Sequence, residues 1–192
     1  MQNLFRIYIF LLLFNIAPLI SQPDNRFLPF DWVQYRYSGA LTGLTEGYSY
    51  LYIGTETGGV KRYNLFSNDF DEPITVAQGL KENSVTAIHF DHGTGILWVC
   101  TPNFIHYSYT REGDWKSLEI VNTGLTKYDK IKKIGSTQEY VWIKGNSIFL
   151  KLDRSSGVVA GMFPYPDELQ IQWSGSYSNR WDNDFNNIIN NY

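Results

Sequence analysis

Apolar and polar residues alternate with a period of two along residues 85–90, and the chain then turns at Asp91-His92-Gly93-Thr94-Gly95. A second run occupies 96–101, Pro102-Asn103 turns it into 104–109, and the polar cluster 110–114 turns that into 115–121. Short alternating runs bounded by turn formers predict β-strands, here four in succession. Similar runs stand at 48–54 and 60–64 on one side and at 140–144, 147–153 and 158–163 on the other. No segment keeps a helical period for long enough to form a helix, so the expectation is an all-β chain.

The pattern also repeats. Leu51-Tyr52-Ile53-Gly54-Thr55 returns 46 residues later as Leu97-Trp98-Val99-Cys100-Thr101 and, 44 residues further on, as Val141-Trp142-Ile143-Lys144-Gly145. Gly79-Leu80 returns as Gly124-Leu125, an offset of 45. Four strands in a unit of about 45 residues, set in tandem, predict β-propeller blades. Tyr52, Trp98 and Trp142, at matching places, are assigned to packing between neighbouring blades, where large rings supply much of the buried area.

Fewer than four such units fit after residue 22, and propellers close with about four to eight blades. The expected fold is therefore about three four-stranded blades plus partial blades, an incomplete propeller. Its divisions are a leader at 1–22, blades at 23–169, and a partial strand with an Asn-rich, disordered tail at 170–192. Asp31-Trp32-Val33-Gln34-Tyr35 resembles Asp114-Trp115-Lys116-Ser117-Leu118, so it would complete a last blade whose inner strands come from the C-terminal end, where only 170–173 are strand-like. Open blade faces at both ends would favour self-association.

Gly79-Leu80, Asn83-Ser84-Val85-Thr86-Ala87-Ile88, Asp91, Gly95, Leu97-Trp98-Val99 and Thr101 together resemble the repeat of the two-component regulator propeller family. That pattern runs Gly-Leu, a polar loop, an alternating strand, Asp, Gly, then Leu-Trp-Ile-Gly-Thr. The unit at 36–80 keeps Tyr-Ile-Gly-Thr but lacks the Asp turn, the third unit loses Gly-Thr, and Cys100 stands where the pattern has Gly. The resemblance covers about residues 40–150. It implies a propeller of an exported sensory or cell-surface protein, and a shared fold does not by itself fix an activity.

At the N-terminus Arg6 is the only charge before Asp24, and an apolar run over 7–20 is broken only by Asn15. About 20 apolar residues are needed to span a bilayer, so the run reads as an export signal. The alternative is an uncleaved anchor, which Leu4 and Phe5 would lengthen. Either way the chain is expected in the periplasm, on the cell surface or secreted. Lys plus Arg number 16 against 19 Asp plus Glu, a net charge of −3, which argues against nucleic acid as a partner. Cys100 is the single cysteine and sits inside a strand-like run, so it is expected to be a buried apolar side chain.

His89, His92 and His106 lack metal-ligand spacing, no nucleophile elbow or phosphate-cradling loop is present, and the carboxylate pairs lie in loop or tail sequence. The expectation is no catalysis and no cofactor. Candidate binding residues lie in loops that gather at one end of a propeller: Glu56, Lys81, Glu82, Asn103, Lys127 and Tyr128. This polar mixture with one aromatic would suit a glycan, a peptide or a small polar ligand. The function expected is a non-catalytic extracytoplasmic module that senses or binds a ligand or protein partner, as a fragment of a larger propeller protein. The alternatives are a structural or assembly protein of the cell envelope and, less favoured, a fragment of a carbohydrate-active enzyme.

Overall fold

A computed structural model describes residues 38–174 except Glu112. The leader, the strand expected at 31–35 and the Asn-rich ending lie outside the described residues. Within them the chain is nearly all β, as its alternation predicts. Blade 1 is the antiparallel sheet β1 (Leu41–Glu46), β2 (Tyr50–Thr55), β3 (Val60–Asn64) and β4 (Asp69–Ile74), in that order. Blade 2 is β5 (Ala87–Asp91), β6 (Ile96–Cys100), β7 (Phe104–Ser108) and β8 (Lys116–Glu119). Blade 3 is β9 (Lys133–Ser136), β10 (Tyr140–Lys144), β11 (Phe149–Asp153) and β12 (Val159–Phe163). The third unit, weakest in sequence, therefore forms a complete blade. The loss of its Gly-Thr pair matters little, because the strands are held by alternation and by the turns on either side.

One expectation is corrected. The strand-like residues near 170–173 do not begin a fourth blade: β13 (Gln172–Trp173) pairs antiparallel with β9 and becomes a fifth strand on the inner edge of blade 3. Gly135 makes this possible, since a Cβ there would lie 2.7 Å from Ile171 Cγ2 and 2.9 Å from the Gln172 carbonyl oxygen.

The blades pack by one rule. Tyr52 of blade 1 is buried with Leu97 and Val99 of blade 2, and Trp98 of blade 2 is buried with Val141 and Ile143 of blade 3. Because side chains alternate across a strand, the ring of each blade faces forward and its two aliphatic neighbours face back. Trp98 also stacks on Tyr107, with ring centroids 4.7 Å apart, and Tyr52 stacks on Phe90 at 5.9 Å. Cys100 is fully buried in the second seam, and burial pushes its thiol well above the ordinary range.

The repeated Gly-Leu marker has a structural cause. A single 3-10 turn follows the outer strand of blades 1 and 2, at Val76–Gln78 and Ile120–Thr123. Gly79 and Gly124 end these turns in the left-handed region, at φ 111° and 93°. The chain reversal drops Leu80 and Leu125, each 3% exposed, into the two seams. The first turn is closed by a capping box: Thr75 Oγ1 accepts from the Ala77 N–H, and Gln78 Oε1 accepts from the Thr75 N–H at 3.0 Å.

Candidate functional site

The loops entering each blade and the turns between its second and third strands share what we call the upper end of the sheets, since Ala87 pairs with Cys100 and Lys133 with Lys144. All six candidate binding residues lie at this end, in three separate groups. Asn103 donates its backbone N–H and its Nδ2 to the Glu82 carboxylate, at 3.2 and 2.5 Å. Burial pushes the Glu82 carboxyl up, but the Thr101 and Asn103 donors outweigh it and hold the group below the usual range. In the same group the backbone N–H of Lys81 donates to His106 Nε2 at 3.0 Å, which leaves Nδ1–H facing the Val99 carbonyl at 3.3 Å. Lys127 lies over the Tyr128 ring at 5.1 Å, and the Tyr128 carbonyl accepts from Asn146 Nδ2. Glu56 stands apart and accepts from the Ala40 N–H at 3.1 Å. Among the described residues no hydrogen bond or ion pair joins one group to another. Glu82 and Asn103 serve each other, while Tyr128, 75% exposed, presents its ring to solvent with the Lys127 ammonium over it.

A denser polar site, which the sequence reading missed, lies at the opposite end. Asp91 closes the β5–β6 turn, where its Oδ1 accepts from the Gly93 N–H at 3.2 Å and its Oδ2 from the Thr94 hydroxyl. The same carboxylate receives a two-pronged ion pair from Nε and Nη2 of Arg154, on the β11–β12 turn of blade 3. Arg154 Nη1 donates to the Gln138 carbonyl at 2.9 Å. Asp91 is 1% exposed, and burial pushes its carboxyl up. The guanidinium fork and the Thr94 hydroxyl outweigh that, so it is held below the ordinary carboxylate range.

Ser136 extends the network. Its hydroxyl lies 2.9 Å from His89 Nε2 and 3.3 Å from Asp91 Oδ1, while His89 Nδ1 meets the Ser174 hydroxyl beyond β13. A serine, a histidine and an aspartate thus meet, but in the wrong order for nucleophilic catalysis. A base needs its carboxylate on the far imidazole nitrogen, and here the carboxylate touches the serine. Burial lowers the His89 pKa from 6.5 to about 4 despite the nearby Asp91 charge. The arrangement is suited to joining blade 2, blade 3 and β13. Beside it opens a cleft of about 350 Å³ lined by Ser136, Thr137, Gln138, Arg154 and the segment 170–172. Its exposed lining is neutral and amide-rich, because the one charge, Arg154, is balanced by Asp91. Asp91 was visible as part of the repeat motif. Its partner, 63 residues away on a turn with no motif, was not.

No known family profile and no curated protein sequence matches the chain. Solved structures do. The extracellular domain of the proposed one-component system BT4673 from B. thetaiotaomicron matches at 16% identity and TM-score 0.51, over 67% of this chain and 17% of that one. A second structure of that domain, there described as part of a proposed hybrid two-component system, matches at 17% identity and TM-score 0.50, over 72% of this chain and 17% of the other. The dihydro-heme d1 dehydrogenase NirN matches at 12% identity and TM-score 0.50, over 65% of this chain and 28% of that one. At these identities the likeness is one of fold. The chain spans about a sixth of the length of the BT4673 domain. Among the described residues no helix is long and apolar enough to cross a membrane.

Proposed function

We propose that the chain is a non-catalytic, extracytoplasmic propeller module that senses or binds a ligand or protein partner, as part of a larger propeller assembly. The observation that carries this reading is the neutral cleft in blade 3, beside the Asp91–Arg154 pair that ties this blade to blade 2. Three further observations support it. The repeat resembles that of two-component regulator propellers, and the similar BT4673 domain is described as the extracellular part of a signalling protein. The leader-like N-terminus supports export.

Thermal-shift screening of the purified chain against neutral saccharides, amino acids, dipeptides and nucleosides tests the reading. One class is expected to raise the melting temperature, and Gln138→Ala and Gln172→Ala are expected to abolish the rise without altering the unliganded melt. Uniform silence across the panel would instead favour a protein partner at the upper end. A structural or assembly role is the second reading, favoured by the partly uncovered apolar face of blade 1.

A further inference from the structure

The packing rule leaves one member of each kind unmatched. Leu97 and Val99, which receive Tyr52, and Val141 and Ile143, which receive Trp98, are all 0% exposed. Their counterparts in blade 1, Leu51 and Ile53, are only partly buried, and no blade precedes them among the described residues. On the same face Leu51 pairs with Tyr63 and Ile53 with Leu44, while Phe70 is 58% exposed. At the other end of the arc the forward ring is Trp142, and no blade follows it among the described residues.

Trp142 is nevertheless fully buried, because the chain after β12 folds back over it. Trp142 Nε1 donates to Glu168 at 3.1 Å, and Lys151 Nζ, across the strand pair from Trp142, meets Asp167 at 2.9 Å and Glu168 at 3.2 Å. The Lys151 ammonium also lies over the rings of Tyr140 and Trp142, at 4.0 and 5.0 Å. This strap is held chiefly by charge. Its apolar members face water: Tyr165 is 79% exposed and Leu169 fully so. The carboxylate side of these pairs is open to solvent screening, Asp167 being 49% and Glu168 25% exposed against 10% for Lys151, whereas an apolar seam of the kind found twice inside this chain excludes water from both sides.

We propose that two copies of this chain associate head to tail, the Trp142 face of each receiving Leu51 and Ile53 of the other, with the 164–169 strap displaced. The occupant is argued from complementarity: the two faces are the halves of a seam that the chain already builds twice within itself. The three described blades of each copy make six, within the range at which propellers close, so the two seams are related by a twofold and no face of a described blade is left over. The strap is then a competitor that keeps the single chain soluble until a partner arrives.

Sedimentation velocity on the full chain over about 1 to 100 µM tests the proposal, in the range where strap and seam compete. The expected result is a monomer–dimer equilibrium. Asp167→Asn with Glu168→Gln, which loosens the strap, is expected to tighten the dimer at least tenfold. Leu51→Glu, at a partly exposed position, is expected to leave a cooperatively melting monomer in either background. Three results would overturn it: a strap variant still monomeric at the highest concentration, a dimer that survives Leu51→Glu, or a ladder of trimers and larger species. A dimer surviving that substitution would mean that another surface associates; failure of ligand binding would leave the association result untouched.

Discussion

His89 and His106 are the residues on which acid acts first. Burial lowers both pKa values from 6.5 to about 4 in the folded chain. Between those values the unfolded chain takes up the protons and the folded chain does not, so the stability present above pH 6.5 is lost as pH falls towards 4. Each histidine contributes a slope of about 1.4 kcal/mol per pH unit across that window. Urea denaturation at pH 7.5 and at pH 5 is expected to show a clear fall in midpoint. His106→Gln keeps an acceptor for the Lys81 N–H and is expected to flatten part of the dependence. Gly135 is the second residue to test. An added methyl would press on the backbone of β13, so Gly135→Ala is expected to release that strand and cost about 1–3 kcal/mol, read from the same denaturation curves.

Among the elements, the two turns joined by Asp91 and Arg154 matter most. Removing one member of a buried pair strands the other charge, so Arg154→Met is expected to destabilise by about 3–5 kcal/mol. Asp91→Ala also removes the acceptor of the Gly93 and Thr94 turn, and should cost at least as much. The double variant is expected to be less destabilised than the two losses added together, which a thermodynamic cycle will show. The elements also mark what a linear reading can reach. The strands at 60–64 and 140–144 stand where alternation puts them, because a half-buried strand must alternate. Gly79 and Gly124 were visible because a left-handed turn end selects glycine. β1 and β4 were missed: β1 mixes Gly43 with threonines, and β4 is an outer strand with a bulge and Pro73, so neither carries a clean period. The cleft was missed for a different reason, since it is formed where two turns of blade 3 meet the segment 170–172, which returns to pair with β9 from more than 30 residues away. The upper-end loops were legible as loops, but whether their polar groups face a ligand or one another is decided by distances no spacing encodes.

At the scale of the molecule, blade 2 alone has a neighbouring blade on both faces among the described residues, and β5 and β6 are buried along their whole lengths. In a stack where each unit touches only its neighbours, stability concentrates where both interfaces exist. Hydrogen exchange followed by mass spectrometry is expected to find the slowest amides in β5 and β6 and the fastest in the outer strands β4 and β12. Protection spread evenly over the three blades would mean that the sheet faces at the ends of the arc are covered as fully as those in its middle.

The bond between His89 and Ser174 spans 85 residues, from the inner strand of blade 2 to the end of the described chain. At about 5–20 residues per second, that separation means a delay on the order of 4 to 17 s between synthesis of the two partners. The first two blades can come together in that interval, but the inner strand of blade 2 then lacks both Ser174 and Ser136 of blade 3 around its imidazole. A nascent or prematurely ended chain therefore holds a histidine less enclosed than the finished one and more readily protonated. Below pH 6.5 that histidine must give up its proton as blade 3 closes over it, so mild acidity opposes this closing step more than the pairing of the first two blades.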